Sequence, residues 1–157
     1  MFVHLTVEEA IFARHRGSVD LPLRVRDRAL FLHRRYKELV GRLQAALQTA
    51  SVALVGAPTV LETSMVLTRF LGAAGRRNLN ELLSASEVQV VPFTLQHERE
   101  AHDAFLRFGK GRHPAALNYG DCMAYAIAKV AGHPLLFVGT DFSQTDILPA
   151  AQTPAAP

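Results

Sequence analysis

The stretch Leu117-Asn118-Tyr119-Gly120-Asp121-Cys122-Met123-Ala124-Tyr125-Ala126-Ile127-Ala128-Lys129, continued by Leu135-Leu136-Phe137-Val138-Gly139-Thr140-Asp141, decides the fold class. Its first part predicts a helix over 119–131 with an acid in the first turn. Its second part is a short apolar run bounded by Pro134 and Gly139. That is the pattern of a strand buried on both faces in a parallel sheet. Ligands of such sheets gather outside the carboxyl ends of the strands. Asp141 follows the strand and falls at that edge, and Asp121 joins it there if the helix rises from the same edge. Two carboxylates meeting with no Arg in either motif suggest a hard-cation site.

Working outward, the same alternation recurs upstream. Apolar residues at Leu32, Tyr36, Leu39, Val40, Leu43 and Leu47 predict a helix over 29–48. A strand over 52–55 ends at Gly56, and Pro58 suits the first turn of a helix expected over 59–71. A second short helix is expected over 73–84, then a strand over 88–91 closed by Pro92. Thr94 is placed to cap the next helix, whose Leu95, Ala101, Ala104, Phe105 and Phe108 form its inward set. Residues 109–114 form a basic, Gly-rich loop. Strands alternating with helices imply parallel pairing and right-handed crossovers, hence an α/β class in three layers, α/β/α, around a central, mostly parallel sheet. Residues 149–157 are Ala/Pro-rich and are expected to be a disordered tail.

The first 26 residues fit this scheme least. Residues 1–13 have the makings of a short helix. Leu21, Leu23 and Val25 alternate with Pro22, Arg24 and Arg26, as in an edge strand with one wet face.

Composition narrows the class. A length of 157 residues with 49% hydrophobic and 20% charged residues suits one globular domain. The net charge of +3 suits a polyanionic partner, mildly. One cysteine, Cys122, excludes an internal disulfide and a thiolate metal cage, and fits a cytoplasmic location. No apolar run approaches the ~20 residues needed to span a bilayer, so no membrane association is expected.

Each acid has a local interpretation, and some a functional one as well. Glu62 in Thr59-Val60-Leu61-Glu62 fits a capping box on its spacing. Asp121 either complements the helix dipole or holds a cation. Asn118 either caps that helix or touches substrate. Asp141 is a turn residue or an acid of the site, and Asp146, five residues on, fits a turn or cap. Lys110 and Arg112, with His113, form a solvated loop or a phosphate grip beside the acids. His97 and His102 are spaced five apart, which does not align them on one helix face as a zinc pair.

Taken together, Phe108-Gly109-Lys110-Gly111-Arg112-His113-Pro114-Ala115-Ala116-Leu117-Asn118-Tyr119-Gly120-Asp121-Cys122 resembles the central motif of VapC-type PIN-domain toxins. Leu136-Phe137-Val138-Gly139-Thr140-Asp141-Phe142-Ser143-Gln144-Thr145-Asp146-Ile147 resembles their closing motif. The similarity runs from about Tyr36 to Ile147. It implies a PIN-like domain over 27–148, preceded by an atypical segment over 1–26. It implies the toxin of a type II toxin–antitoxin pair, a ribonuclease dependent on Mg²⁺ or Mn²⁺ that cleaves RNA phosphodiesters. Its partners would be RNA, a small VapB-like antitoxin and a second copy of the chain. Glu62, Asp121 and Asp141 would be the catalytic acids, holding the metal with Asp146 in support. Lys110, Arg112 and Asn118 would touch substrate. The family opens with an apolar strand ending in Asp, its first metal ligand. Met1-Phe2-Val3-His4-Leu5-Thr6 resembles that opening but carries His4 in the Asp place. Of the later acids, Asp27 has the better spacing to Glu62 and takes the role here, although Arg26 and Arg28 flank it. The alternative function is an impaired PIN-fold module that binds antitoxin or RNA without cleaving it.

Overall fold

The computed structural model describes residues 2–3, 50–85, 88–137 and 139–150. The elements are β1 (Phe2–Val3), β2 (Leu54–Gly56), α1 (Ala57–Leu71), α2 (Ala73–Ala85), β3 (Gln89–Val91), α3 (Leu95–Phe108), α4 (Tyr119–Ala131) and β4 (Leu135–Leu136). A 3-10 turn follows at Phe142–Gln144. The four strands form one parallel sheet in the order β3-β2-β1-β4. Helices that connect successive strands bear out the α/β class and its parallel sheet.

Burial explains the order. Ala53, Leu54 and Val55 are buried, as are Leu135 and Leu136, so β2 and β4 carry the apolar centre. Gln89 and Val90 are exposed, and β3 is the edge. The opposite edge is covered by the chain itself. Leu135 N–H donates to Leu148 O and Ala150 N–H to Leu135 O, each at 2.8 Å, and Pro149 bridges Leu135 in parallel. A Pro tolerates this outermost position because it offers no N–H to a further strand. Pro149 and buried Ala150, the first two residues of the tail expected over 149–157, are thus bridged to β4. Residues 151–157 lie outside the described residues.

The N-terminus holds the larger correction. Phe2–Val3 lies between β2 and β4, with Phe2 opposite Leu54 and Leu135, and Val3 opposite Leu136. Phe2 and Val3 therefore fill the place between β2 and β4 at the centre of the sheet. A helix over 1–13 is excluded at these two positions, and the segment 1–26 supplies the domain with a strand. Asp27, the edge strand around Leu23 and the helix over 29–48 lie outside the described residues.

The helices stand close to expectation. Helix α1 starts at Ala57, directly after β2, with Pro58 in its first turn. Gly56 at the junction is the N-cap, and a side chain there would run into the terminal methyl of Ile127 on α4. Helix α4 contributes Ala124, Tyr125, Ala126, Ile127 and Ala128 to the core, all at 3% exposure or less. It ends at Gly132 in the left-handed conformation, the usual helix stop. In α3 only Ala104 and Phe108 of the expected inward set are buried. Leu95 and Phe105 are exposed. Phe105 lines a groove of about 400 Å³ between α3 and α4, together with Phe93, Ala101, Tyr119 and Met123.

Candidate active site

All strands run the same way, so the carboxyl ends of β2, β1 and β4 share one edge. Helix α1 leaves from that edge without a connecting loop. Helix α4 is joined to the start of β4 by only residues 132–134, so it runs back from the same edge and its first turn lies there. The sequence pattern required this placement for Asp121, and the topology supplies it.

Glu62 and the first turn of α4 meet. A Cβ on Gly120 would stand 3.3 Å from Glu62 Oε2, 3.8 Å from Oε1 and 3.4 Å from Asn118 Oδ1. A side chain at Gly120 would crowd this carboxylate, which would have to draw back by a few tenths of an ångström. The capping-box interpretation of Glu62 fails. The N-cap of α1 is Gly56, three residues ahead of Thr59, and no acid lies in the first turn. Glu62 is half-buried on the flank of the helix and reaches across to α4.

At the start of α4, Asn118 is the N-cap. Its Oδ1 accepts from Asp121 N–H at 3.0 Å, and Asp121 Oδ2 accepts from Asn118 N–H at 2.9 Å. The pair forms a reciprocal capping box in which Asp takes the usual Glu place. It fixes the Asp121 carboxylate, 3% exposed, beside the backbone that Glu62 approaches. Cys122 next to it is buried. Burial and then the Asp121 charge push its thiol up to about 11, so it is neutral and unreactive near pH 7.

Asp141 stands at the head of the 3-10 turn, exposed, after Gly139 at φ +88°. Among the described residues, no three His, Cys, Asp or Glu side chains converge into a group able to hold a metal ion. The structure brings Glu62 to the turn of Asp121, and Asp141 does not complete a triad with them.

Asp146 is engaged elsewhere. Its Oδ1 accepts from Tyr125 OH at 2.5 Å, and its Oδ2 accepts from Arg107 at 2.9 Å and Lys129 at 3.1 Å. Burial would push this carboxyl up, but the hydrogen bonds from Tyr125, Arg107 and Lys129 outweigh it and hold it well below the usual carboxylate range. Burial, and then the Asp146 hydrogen bond, move the Tyr125 phenol well above its usual value. None of these three partners was singled out from the sequence. The signal present was spacing: Asp121, Tyr125 and Lys129 recur every four residues on one face of α4.

The loop between α3 and α4 closes on itself. Lys110 N–H donates to Leu117 O and Leu117 N–H to Phe108 O, each at 3.0 Å. Its tip carries exposed Lys110 and Arg112, and the Arg112 guanidinium lies 5.1 Å from the centre of the Phe105 ring. His113 belongs to the loop's own structure. Its Nδ1 accepts from Ala115 N–H at 3.1 Å, and its ring meets Phe108 edge-on.

Comparison with known proteins settles the family. The sequence profile of the PIN domain matches residues 25–148. This chain belongs to the PIN-domain family. Ribonuclease VapC36 of Mycobacterium tuberculosis is 48% identical to this PIN domain over 103 residues, 66% of this chain and 74% of its own. Ribonuclease VapC30 of the same species is 40% identical over 110 residues, 70% of this chain and 84% of its own. Ribonuclease VapC of Mycolicibacterium smegmatis is 41% identical over 105 residues, 67% and 81% of the two chains. Among solved structures, Mycobacterium tuberculosis VapC20, a Sarcin-Ricin loop cleaving toxin, superposes with a TM-score of 0.60 at 15% identity. The superposition covers 97% of this chain and 98% of that one, which speaks for the fold alone. The profile match begins downstream of β1, so the strand at the centre of this PIN domain lies outside the matched residues.

Proposed function

We propose that this PIN domain is a ribonuclease toxin that needs Mg²⁺ or Mn²⁺ and is restrained by a small antitoxin. One observation carries the proposal: Glu62 and Asp121 come from separate helices and are brought to the same turn at the ligand edge of a parallel sheet. Their chemistry fits the cation, since hard dications take carboxylate oxygens and leave positions for water and phosphate. Glu62 and Asp121 would hold the ion, with Asp141 joining at the same edge. A bound dication supplies charge neutralisation for a phosphodiester and an acidified water for its attack. The chain's own residues do the rest. The capping box fixes where the Asp121 oxygens point, and Gly120 leaves room for Glu62. Lys110 and Arg112 on the closed loop hold the RNA backbone. The relatives are named ribonucleases of the VapC type, which supports RNA as substrate and a VapB-like antitoxin as partner. A second copy of the chain is part of the same proposal.

A second reading, an impaired module that binds without cleaving, is favoured by one observation. Strand β1 ends at Val3, and the residue that follows in sequence is His4, not an acid. Incubating the chain with stem-loop RNA decides between them. The toxin reading expects cleavage in Mg²⁺ or Mn²⁺ that chelation stops. Binding without cleavage in either metal selects the impaired module.

The loop has its own test. Replacing Lys110 and Arg112 together by Ala should weaken RNA binding and reduce its dependence on log salt by a slope of about one per lost phosphate contact. An unchanged slope would leave both as solvated loop residues.

A further inference from the structure

The segment that carries Asp141 is held at both ends. At one end Phe142 is 2% exposed and packs on Phe137, ring centres 5.2 Å apart. Its interior is a tight turn in which Thr145 N–H and Oγ1 both donate to Phe142 O, and Ile147 N–H donates to Thr145 Oγ1. At the other end stand Asp146 and buried Ile147. Asp146 takes hydrogen bonds from Arg107 on α3 and from Tyr125 and Lys129 on α4. One carboxylate therefore ties the segment to both helices, and α4 is the helix that carries Asp121.

This arrangement suits an anchor and not a ligand. A carboxylate facing a dication must offer it a lone pair and a negative field. Here one oxygen already accepts from a guanidinium and an ammonium, and the other from a phenol. A dication brought to this carboxylate would face two like charges. Tyr125 and Lys129 are also one and two turns beyond Asp121, about 6 and 12 Å further along the helix axis.

Resting on the metal-dependent function proposed above, we infer that Asp146 is a positioning residue: through Arg107, Tyr125 and Lys129 it pins the Asp141 segment against α3 and α4, and it does not ligate the cation. Asp146→Asn removes the charge but keeps an acceptor for Tyr125. A second variant, Arg107→Ala with Lys129→Ala, leaves Asp146 intact and removes its cationic partners. Both are compared with the parent and with the triple variant. The readouts are the thermal midpoint without metal, the Mn²⁺ concentration for half-saturation, and kcat against KM for RNA.

The inference expects the two variants to behave alike. Each should lower the metal-free midpoint by about 2–4 °C, the shift usual for a modest loss in a domain of this size. Each should lower kcat with little change in KM and weaken Mn²⁺ binding by no more than about 10-fold, the lower end for groups that orient a ligand. The triple variant should add little to either, since all act through one contact. If Asp146→Asn abolishes Mn²⁺ binding while the Arg107/Lys129 variant binds as the parent does, Asp146 is a ligand and the inference is wrong. Unchanged kcat and Mn²⁺ binding in both variants would also overturn it. If the parent itself binds no Mn²⁺, the functional proposal fails instead. The midpoints then decide the anchor, with additive losses or none counting against it.

Discussion

Asp121→Asn is expected to lower metal-dependent RNA cleavage by more than about 100-fold while leaving the fold in place. Substitutions that only orient a metal ligand cost roughly 10–100-fold, so removing a charged ligand should exceed that range. The fold should survive because Asn keeps an oxygen that can accept from Asn118 N–H, the bond that Asp121 Oδ2 accepts now. Cleavage of stem-loop RNA in Mn²⁺, with the far-ultraviolet spectrum and thermal midpoint as controls, measures both. Equal cleavage by parent and variant would remove Asp121 from the site.

Leu135→Ala is expected to have the largest effect on stability. Leu135 is fully buried, pairs with Phe2 in the central strand, and exchanges backbone hydrogen bonds with residues 148 and 150. Truncating a Leu at such a site removes its burial and leaves a cavity between elements that cannot all collapse. Losses of about 2–5 kcal/mol are typical. Urea unfolding at constant slope gives the number. A loss under about 1 kcal/mol would mean that β4 is not the packed centre described above.

Much of the domain could be read from its sequence, for physical reasons. Residues 119–131 and 95–108 carry strong helical spacing and their own capping residues, so local chemistry alone defines them. Thr94 caps α3 as expected, in a box with an unusual third member: His97 Nδ1 accepts from Thr94 N–H at 3.0 Å. Helix α1 starts at Ala57, two residues ahead of the expected Thr59, because Pro58 suits the first turn as well as the position before a helix. That small shift also removed the capping interpretation of Glu62.

The remaining misses depend on contacts distant in sequence. Strand β1 has two residues, too few for any periodicity, and its identity comes entirely from pairing with Leu54 and Leu135. Pro149 and Ala150 look like the start of a disordered tail until Leu135 is there to pair with. Asp146 reads as an acid of the closing motif, and only the fold reveals Arg107, 39 residues away, as its partner. Leu95 and Phe105 follow the helical stripe but are exposed, and Phe105 lines a groove between α3 and α4 rather than the core.

The central claim is that one dication sits between Glu62 and Asp121. The most direct measurement is anomalous diffraction from crystals soaked in Mn²⁺. The account predicts a peak about 2.0–2.3 Å from an oxygen of Glu62 or Asp121, or one water removed from it, near Gly120 and absent from crystals of Asp121→Asn. A peak at Asp146, or one that persists at full height in the Asp121→Asn crystals, would contradict it.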